Sequence, residues 1–201
     1  MLSDLDGLMQ ARDLDALLVP MHEALHPSFR WITRGAKVTR GYAVKRAGRD
    51  PLLVSYPMER DEAAATGLAT RLIHEFGYDG IFKSAPNAVA AYAEFFDVVL
   101  RELGASSSVA IVGNLPFPLY LGIAEGLETR GWRVWRGGDD LVQLARKRKE
   151  PWEIAAIRSV GERTEQVVDR VREVLRGAVI AGDHLVVDGR PLMLGDLKRL
   201  V

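Results

Sequence analysis

Apolar runs of strand length alternate with helical patterns through residues 1–145 of the chain. The runs that suit strands cover 15–20, 41–46, 52–56, 70–74, 109–112 and 132–135. Helical spacing, together with capping residues and glycine stops, predicts helices over 2–12, 59–67, 84–104, 114–130 and 139–145. The turn A-G-R-D-P separates strands 41–46 and 52–56 and indicates a hairpin. The pattern therefore predicts an α/β layer structure with a mixed sheet flanked by helices.

A different pattern begins after residue 145. A basic cluster, R-K-R-K at 146–149, precedes Pro151, which suits the first turn of a helix. Apolar or small residues then recur with spacings of three and four until a glycine stop at Gly177, at Ile154, Ile157, Gly161, Thr164, Val168, Val171 and Leu175. This spacing predicts a long helix with one buried stripe. A strand, a D-G turn and a helix beginning near Asp196 follow.

This change of pattern predicts three parts: an α/β domain over 1–145, a basic linker over 146–150, and the beginning of a second domain over 151–201. The chain stops a few residues into its last predicted helix, and a helix this short is marginal by itself. We therefore expect the second domain to be incomplete in this chain.

The amino-acid composition argues against several classes of function. The 201 residues carry a formal net charge of zero, so a general nucleic-acid binder is not expected. The absence of cysteine excludes disulfides, thiolate catalysis and cysteine zinc sites. The acidic N-terminus does not resemble a secretory signal, and no apolar run approaches the ~20 residues that span a bilayer. We expect a soluble, cytoplasmic protein with no membrane partner.

Each residue pattern that suggests chemistry also has a simpler structural interpretation. His22 and His26 are four residues apart, as on one helix face, but Pro20 and Pro27 bracket them and disfavour an ordered helix. The doublet at 139–140 is read as a helix N-cap rather than as paired catalytic carboxylates. Gly113, after strand 109–112, stands where ligands bind in open α/β sheets, and this signal is weak. We predict no catalytic, cofactor-binding or metal-binding residue in the chain.

The basic cluster has two interpretations. A phosphate-binding patch would bring further cations or aromatic residues onto one surface. The helix that follows is instead mixed in sign and almost neutral. A solvated linker is the favoured interpretation, and no nucleic-acid partner is predicted.

The stretch K-R-K-E-P-W-E-I-A-A-I-R-S resembles the entry to the catalytic domain of the pita-bread metallopeptidases, the family of aminopeptidase P, prolidase (Xaa-Pro dipeptidase) and creatinase. Lys149, Glu153, Ile154 and Arg158 occupy the positions of its pattern, and Ser159 replaces the usual alanine. The preceding part is similar to the creatinase-like N-terminal domain. D-L-D-A-L-L-V-P resembles its first core strand, and F-R-W-I-T-R-G loosely resembles a later aromatic-Leu-Thr-Gly run.

This resemblance implies a ribonuclease-H-like α/β domain followed by the first, long helix of the pita-bread domain. It also implies a parent hydrolase, with a peptide substrate, whose two divalent metal ions (Mn, Co or Zn) are held by two Asp, one His and two Glu. Those ligands belong to the catalytic domain beyond this chain, and His184 and Asp188 lie outside their motifs. The chain itself is then inactive.

The resemblance further implies that the N-terminal domain supports a homodimer and restricts substrate access in the parent. A stand-alone interaction or small-ligand-binding module, using the loops at the carboxyl edge of the sheet, is the alternative. The sequence leaves the substrate, the metal and the oligomeric state open.

Overall fold

The computed structural model describes residues 2–21 and 26–199 and divides the chain into two compact units, Met1–Arg148 and Lys149–Val201. The helices of the first unit are α1 (Leu2–Gln10), α2 (Pro27–Ile32), α3 (Arg60–Ala64), α4 (Tyr78–Ser84), α5 (Ala88–Glu102), α6 (Phe117–Glu128) and α7 (Leu141–Arg146). Its strands are β1 (Ala16–Met21), β2 (Gly41–Arg46), β3 (Leu52–Ser55), β4 (Ala69–Leu72), β5 (Ser108–Ile111) and β6 (Arg133–Trp135).

The six strands form one mixed sheet in the order β4-β3-β2-β1-β5-β6. Strand β2 is antiparallel to both of its neighbours, and the other neighbouring pairs are parallel. Leu18 in the centre of the sheet lies opposite Val44 on one side and Ile111 on the other. The predicted hairpin and mixed sheet are confirmed. The carboxyl ends of all strands except β2 consequently meet at one edge, and the strand order reverses between β1 and β5.

A hydrophobic core lies on each face of the sheet. Leu17 and Val19 of β1 face one core, which α1, α2, α3 and α7 cover, while Ala16 and Leu18 face the other, which α5 and α6 cover. Strand β1 is buried along its whole length. This explains why its sequence is a continuous apolar run and does not alternate.

One region of the first unit differs from the prediction. The strand predicted over 70–74 ends at Leu72, and a 3₁₀ turn, Ile73–Phe76, follows it. Gly77, at φ 72°, then separates this turn from α4, which the sequence did not predict. Helix α4 has only seven residues and contains Gly80, so its helical pattern is too short to recognise.

The second unit contains α8 (Pro151–Gly177), β7 (Val179–Ala181), β8 (His184–Val187), β9 (Arg190–Pro191) and α9 (Leu194–Lys198). The strands form an antiparallel sheet in the order β7-β8-β9. Asp188 (φ 51°) and Gly189 (φ 72°) make the predicted D-G turn between β8 and β9. Strand β7 was not predicted, and α9 begins two residues before the predicted Asp196.

Helix α8 begins at Pro151 and ends at Gly177, as predicted. Its start is capped by Glu153, whose carboxylate accepts a hydrogen bond from the Glu150 backbone N–H at 2.9 Å. The predicted burial of its apolar row is wrong, since Ile157 is 59% exposed and Val168 is 42% exposed. Periodicity identifies the helix face that a partner can cover, and it does not establish that the partner is present.

Among residues 2–21 and 26–199, no helix combines the length and the apolar character needed to cross a membrane.

Candidate functional site

A cavity of about 270 Å³ opens at the carboxyl edge of the six-stranded sheet, on the face that α5 and α6 cover. Pro20 and Met21 at the end of β1, Tyr42 near the start of β2 and Tyr56 after β3 form its sheet side. Its other lining residues are Arg40 in the loop before β2, Tyr78, Tyr92, Phe96, Leu115, Leu119 and Ile123. We call this space the tyrosine cavity. Its position, beside the reversal of strand order, is the usual ligand crevice of open α/β sheets.

Three phenol hydroxyls form a chain along the tyrosine cavity. The Oη atoms of Tyr42 and Tyr56 are 3.3 Å apart, and the Tyr56 hydroxyl donates to Tyr78 Oη at 3.2 Å. Both distances are long for hydrogen bonds between hydroxyls, so these bonds are weak. The chain is therefore a row of polar groups that a bound molecule can readily engage.

Aromatic packing holds these phenol rings in place. Tyr78 stacks on Phe82 at a centroid distance of 4.1 Å and meets the edge of Phe95 at 5.2 Å. Tyr42 makes an edge contact with Phe96 at 5.1 Å. Such pairs fix the ring orientations as well as burying apolar area. The phenols are consequently placed by α4 and α5 as well as by the sheet.

Burial opposes the ionisation of two of the phenols. Desolvation raises the pKa of Tyr42 far above its ordinary value, and the neighbouring Tyr56 raises it further. Desolvation also raises the pKa of Tyr78, and its hydrogen bond with Tyr56 acts in the same direction. At neutral pH both groups are therefore neutral hydroxyls that can donate and accept hydrogen bonds.

Of the described residues that line the tyrosine cavity, Arg40 alone carries a charged side chain. Its loop is held by the Glu59 carboxylate, which accepts hydrogen bonds from the Thr39 hydroxyl at 2.6 Å and the Arg40 backbone N–H at 3.2 Å. Burial opposes ionisation of Glu59, but these hydrogen bonds prevail and lower its pKa. Glu59 is thus an ionised anchor for the backbone, and the positive charge of the exposed Arg40 lowers its pKa further, although the two side chains form no ion pair among residues 2–21 and 26–199.

The glycine singled out in the sequence lies beside this edge but outside the tyrosine cavity. Gly113 has φ 138°, and a Cβ there would lie 3.2 Å from the Pro20 carbonyl oxygen, so the two backbones pass closely. It lines a second crevice, of about 310 Å³, beyond β5 and β6. The structure therefore places Gly113 at the mouth of the sheet, as predicted.

The aspartate doublet that also lines this second crevice is structural. Asp140 caps α7 by accepting from the Gln143 backbone N–H at 3.0 Å, and its other oxygen accepts from the Ser28 hydroxyl at 3.2 Å. Asp139 pairs with Arg12 at 3.4 Å. Both carboxylates are thus already engaged, and the predicted N-cap is confirmed.

The histidines among the described residues, His26, His74 and His184, form no metal-binding group with one another or with carboxylates. His22 and the next three residues lie outside the described residues. The letters H-E-A-L-H at 22–26 match the spacing of a zinc-peptidase helix, but His26 has extended backbone (ψ 119°) and stands at the N-cap position of α2, where its side chain makes no capping hydrogen bond. His184 contacts Asp183, whose pKa this hydrogen bond lowers. Within residues 2–21 and 26–199 there is no group of three His, Asp or Glu that could hold a metal ion.

Sequence reasoning did not find the tyrosine cavity. Its phenols come from residues 42, 56, 78 and 92, with no spacing that identifies a motif. Tyr56 alone gave a local signal, because it ends the predicted strand 52–56. The others become neighbours only when the sheet and α4 are assembled.

Comparison with solved structures identifies the fold. X-Pro aminopeptidase from Thermotoga maritima aligns with a TM-score of 0.57 and 17% identity over 90% of this chain and 44% of its own. A dipeptidase from Mycobacterium ulcerans aligns with a TM-score of 0.53 and 18% identity over 87% of this chain and 43% of its own. A prolidase from Pyrococcus furiosus aligns with a TM-score of 0.52 and 15% identity over 87% of this chain and 46% of its own. The chain has the fold of the N-terminal domain of these peptidases.

This likeness confirms the predicted fold class, a mixed α/β sheet flanked by helices, with a long helix after it in the sequence. At 15–18% identity the likeness is one of fold. The chain spans less than half the length of each of these three structures, at 43–46%. No protein-family model and no curated protein matches the sequence.

Proposed function

We propose that the chain is the non-catalytic N-terminal portion of a metal-dependent, Xaa-Pro peptidase-like hydrolase. The observation that carries the proposal is the extent of the fold likeness. It covers 90% of this chain, more than the first unit alone, but only 44% of the aminopeptidase from Thermotoga maritima. The K-E-P-W-E-I-A-A-I-R stretch that begins α8 supports the same placement, since it resembles the entry to the family's catalytic domain.

The residues described here do not fit the two divalent metals that such a hydrolase uses. A two-metal site needs several carboxylates and a histidine around one point, and no such group occurs in residues 2–21 and 26–199. The Asp, Asp, His, Glu and Glu ligands of the proposal belong to a catalytic domain beyond Val201. No step of peptide hydrolysis is therefore assigned to a residue of this chain.

Helix α8 has a defined place in this proposal. Its apolar row is exposed, with Ile154 at 45% and Leu175 at 41%, and a row of this kind normally packs against other elements. In the longer protein, the remainder of the catalytic domain covers this row. The first unit then supports a homodimer and narrows access to the active site.

The reading frame beyond Val201 tests the placement. We expect it to continue and to supply Asp, Asp, His, Glu and Glu in that order. A stop codon directly after Val201, or a continuation that lacks these residues, contradicts the proposal.

Activity measurements on the chain itself give a second test. Elemental analysis after dialysis against manganese, cobalt or zinc should find no stoichiometric metal, and an Xaa-Pro dipeptide should not be cleaved. Turnover by the purified chain that persists through further purification excludes the non-catalytic assignment.

The dimer is tested by light scattering coupled to size exclusion. Chains with and without residues 150–201 should both have the mass of a dimer if the first unit forms the contact. A monomer in both cases removes the dimer from the proposal, and a dimer only in the longer chain assigns it to the second unit.

A further inference from the structure

We propose that the tyrosine cavity binds a small aromatic monocarboxylate, whose carboxylate pairs with Arg40 and whose ring lies against Phe96, Leu119 and Ile123. This inference concerns the first unit alone and does not depend on the proposed peptidase parent. It rests on three properties of the cavity: its charge, its hydrogen-bond donors and its apolar wall.

The charge of the cavity lining favours an anionic ligand. Among residues 2–21 and 26–199, Arg40 is the only charged residue of the lining, and no carboxylate of these residues lines the cavity with it. The nearby Glu59 carboxylate is occupied by the Thr39 hydroxyl and by backbone N–H groups, and it holds the loop that carries Arg40. A guanidinium presents a planar fork of donors, to which a carboxylate binds with two parallel hydrogen bonds. One cation and no anion among the described lining residues favour a ligand with a single negative charge.

The phenols can donate one hydrogen bond to the same ligand carboxylate that pairs with Arg40. Tyr42, Tyr56, Tyr78 and Tyr92 have four hydroxyl protons between them, and the three hydrogen bonds that link them use three. The fourth proton remains for a bound acceptor. Phenols buried in this way are not ionised at neutral pH and do not repel an anion.

The apolar lining and the volume of the cavity favour a ligand with an aromatic ring. Leu115, Leu119, Ile123 and Phe96 line the cavity together with the phenols. A cavity of about 150 Å³ suffices for benzene, and this one encloses about 270 Å³. A single ring on a short chain ending in a carboxylate therefore fits, whereas an inorganic anion leaves the apolar wall without a partner.

The experiment is a titration of the full chain with phenylacetate, 3-phenylpropionate and 4-phenylbutyrate, followed by calorimetry and by NMR of the tyrosine rings. We expect saturable binding of at least one of these acids, with shifts in the signals of Tyr42, Tyr56 and Tyr78. The corresponding primary amide should bind ~10-fold or more weakly, because a hydrogen bond to a charged acceptor is stronger than one to a neutral acceptor. Acetate should give no saturable binding.

Two substitutions test the two ends of the ligand. Arg40→Gln should weaken binding of the acid ~10-fold or more and abolish the preference for the acid over the amide. Leu119→Trp should fill the apolar part of the cavity and abolish binding while Arg40 is unchanged. Arg60→Gln is the matched control, because Arg60 is an exposed arginine outside the lining, paired with Asp61 at 3.4 Å. It should bind like the unmodified chain.

Circular dichroism and thermal melting establish first that each variant is folded. If one of the two does not fold, the other and the acid–amide comparison still decide the question. The proposal is overturned if none of the three acids binds, if acid and amide bind equally, or if acetate binds as well as the aromatic acids. Binding that neither folded variant weakens overturns it as well.

Discussion

Lys45 is almost completely buried on β2, with 2% of its side chain exposed. Its Nζ donates to the Asp6 carboxylate at 2.7 Å and to the Arg49 carbonyl at 2.7 Å. Asp6 also accepts from the Gly48 backbone N–H at 2.8 Å and keeps 36% exposure. The pair joins α1 to the hairpin, and its two members depend unequally on each other because only the lysine is cut off from water.

This asymmetry predicts unequal costs of substitution. Asp6→Ala leaves a buried ammonium without its counter-ion and should lower the free energy of unfolding by about 3 kcal/mol. Lys45→Met leaves a carboxylate that water can reach, and it should change the free energy of unfolding by less than ~1.5 kcal/mol. Denaturant titration measures both. The control is Asp4→Ala, because Asp4 pairs with Arg148, which is far more exposed than Lys45. This substitution should change the free energy of unfolding by less than ~1 kcal/mol. A larger loss for Lys45→Met than for Asp6→Ala contradicts this account.

The buried phenol of Tyr42 predicts a loss of stability in alkali. Folding raises the pKa of Tyr42 above the value of about 10 that it has in the unfolded chain. Its stabilisation is therefore complete below pH ~10 and is lost as the pH rises further, because the unfolded chain releases the proton first. The guanidinium midpoint should fall more steeply above pH ~10 in the unmodified chain than in Tyr42→Phe.

The control for this measurement is Tyr120→Phe, which removes a hydroxyl outside the tyrosine cavity. It should retain the pH dependence of the unmodified chain. Equal slopes for the unmodified chain and Tyr42→Phe show that Tyr42 is not the group responsible.

At the scale of elements, α5 and α6 owe their close approach to glycine. A Cβ at Gly126 would lie 2.5 Å from the Cβ of Ala93, and one at Gly122 would lie 2.4 Å from a Val89 methyl. Neither distance is tolerable between carbon atoms, and Ala93 cannot rotate away because its Cβ is attached to the backbone. These helices cover one face of the sheet and supply Tyr92, Phe96, Leu119 and Ile123 to the tyrosine cavity.

Gly126→Ala should therefore destabilise the first unit by ~1–3 kcal/mol, although alanine is the better helix former. Gly122→Ala should cost less, because the Val89 side chain has other rotamers. Gly80→Ala in α4 is the matched control, since a Cβ there meets nothing within 4 Å, and it should be neutral or stabilise by up to ~1 kcal/mol. Thermal melting compares the stabilities of the three variants.

The double variant Gly126→Ala, Ala93→Gly should regain the stability that Gly126→Ala loses, because it removes the clash between residues 126 and 93. Failure to regain stability contradicts this explanation.

At the scale of the whole molecule, burial is distributed unevenly between the two units. The buried apolar residues among 2–21 and 26–199 all belong to the first unit, from Leu5 to Ala145. Both hydrophobic cores are complete within it. In the second unit α8 has no buried residue. Because stability comes mainly from buried apolar area, the first unit holds most of the stability of this chain.

We therefore predict that residues 1–148 fold alone. Their thermal midpoint should lie within ~4 °C of that of the full chain, which corresponds to about 1 kcal/mol or less for a domain of this size. Amide hydrogen exchange on the full chain should show strong protection in β1, β2 and β5 and weak protection in α8. A fragment 1–148 that is unfolded, or equal protection in α8 and β1, contradicts this prediction.

Local chemistry accounts for what the sequence determined by itself. The D-G turn, the A-G-R-D-P hairpin, the Asp140 cap, and the limits of α8 at Pro151 and Gly177 all follow from the backbone preferences of a few adjacent residues. The apolar run of β1 was likewise sufficient to predict a buried strand. Together these features predicted the mixed sheet and its flanking helices, and with them the fold class.

Only the tertiary structure decided which distant residues meet. Tyr42, Tyr56 and Tyr78 share one cavity, Lys45 finds Asp6, and the apolar row of α8 is exposed where its periodicity predicted burial. No short pattern encodes these outcomes, because each depends on contacts between elements that are far apart in the sequence. Backbone preferences act over a few residues and set the elements, whereas burial and hydrogen bonding across the assembled sheet set the cavity.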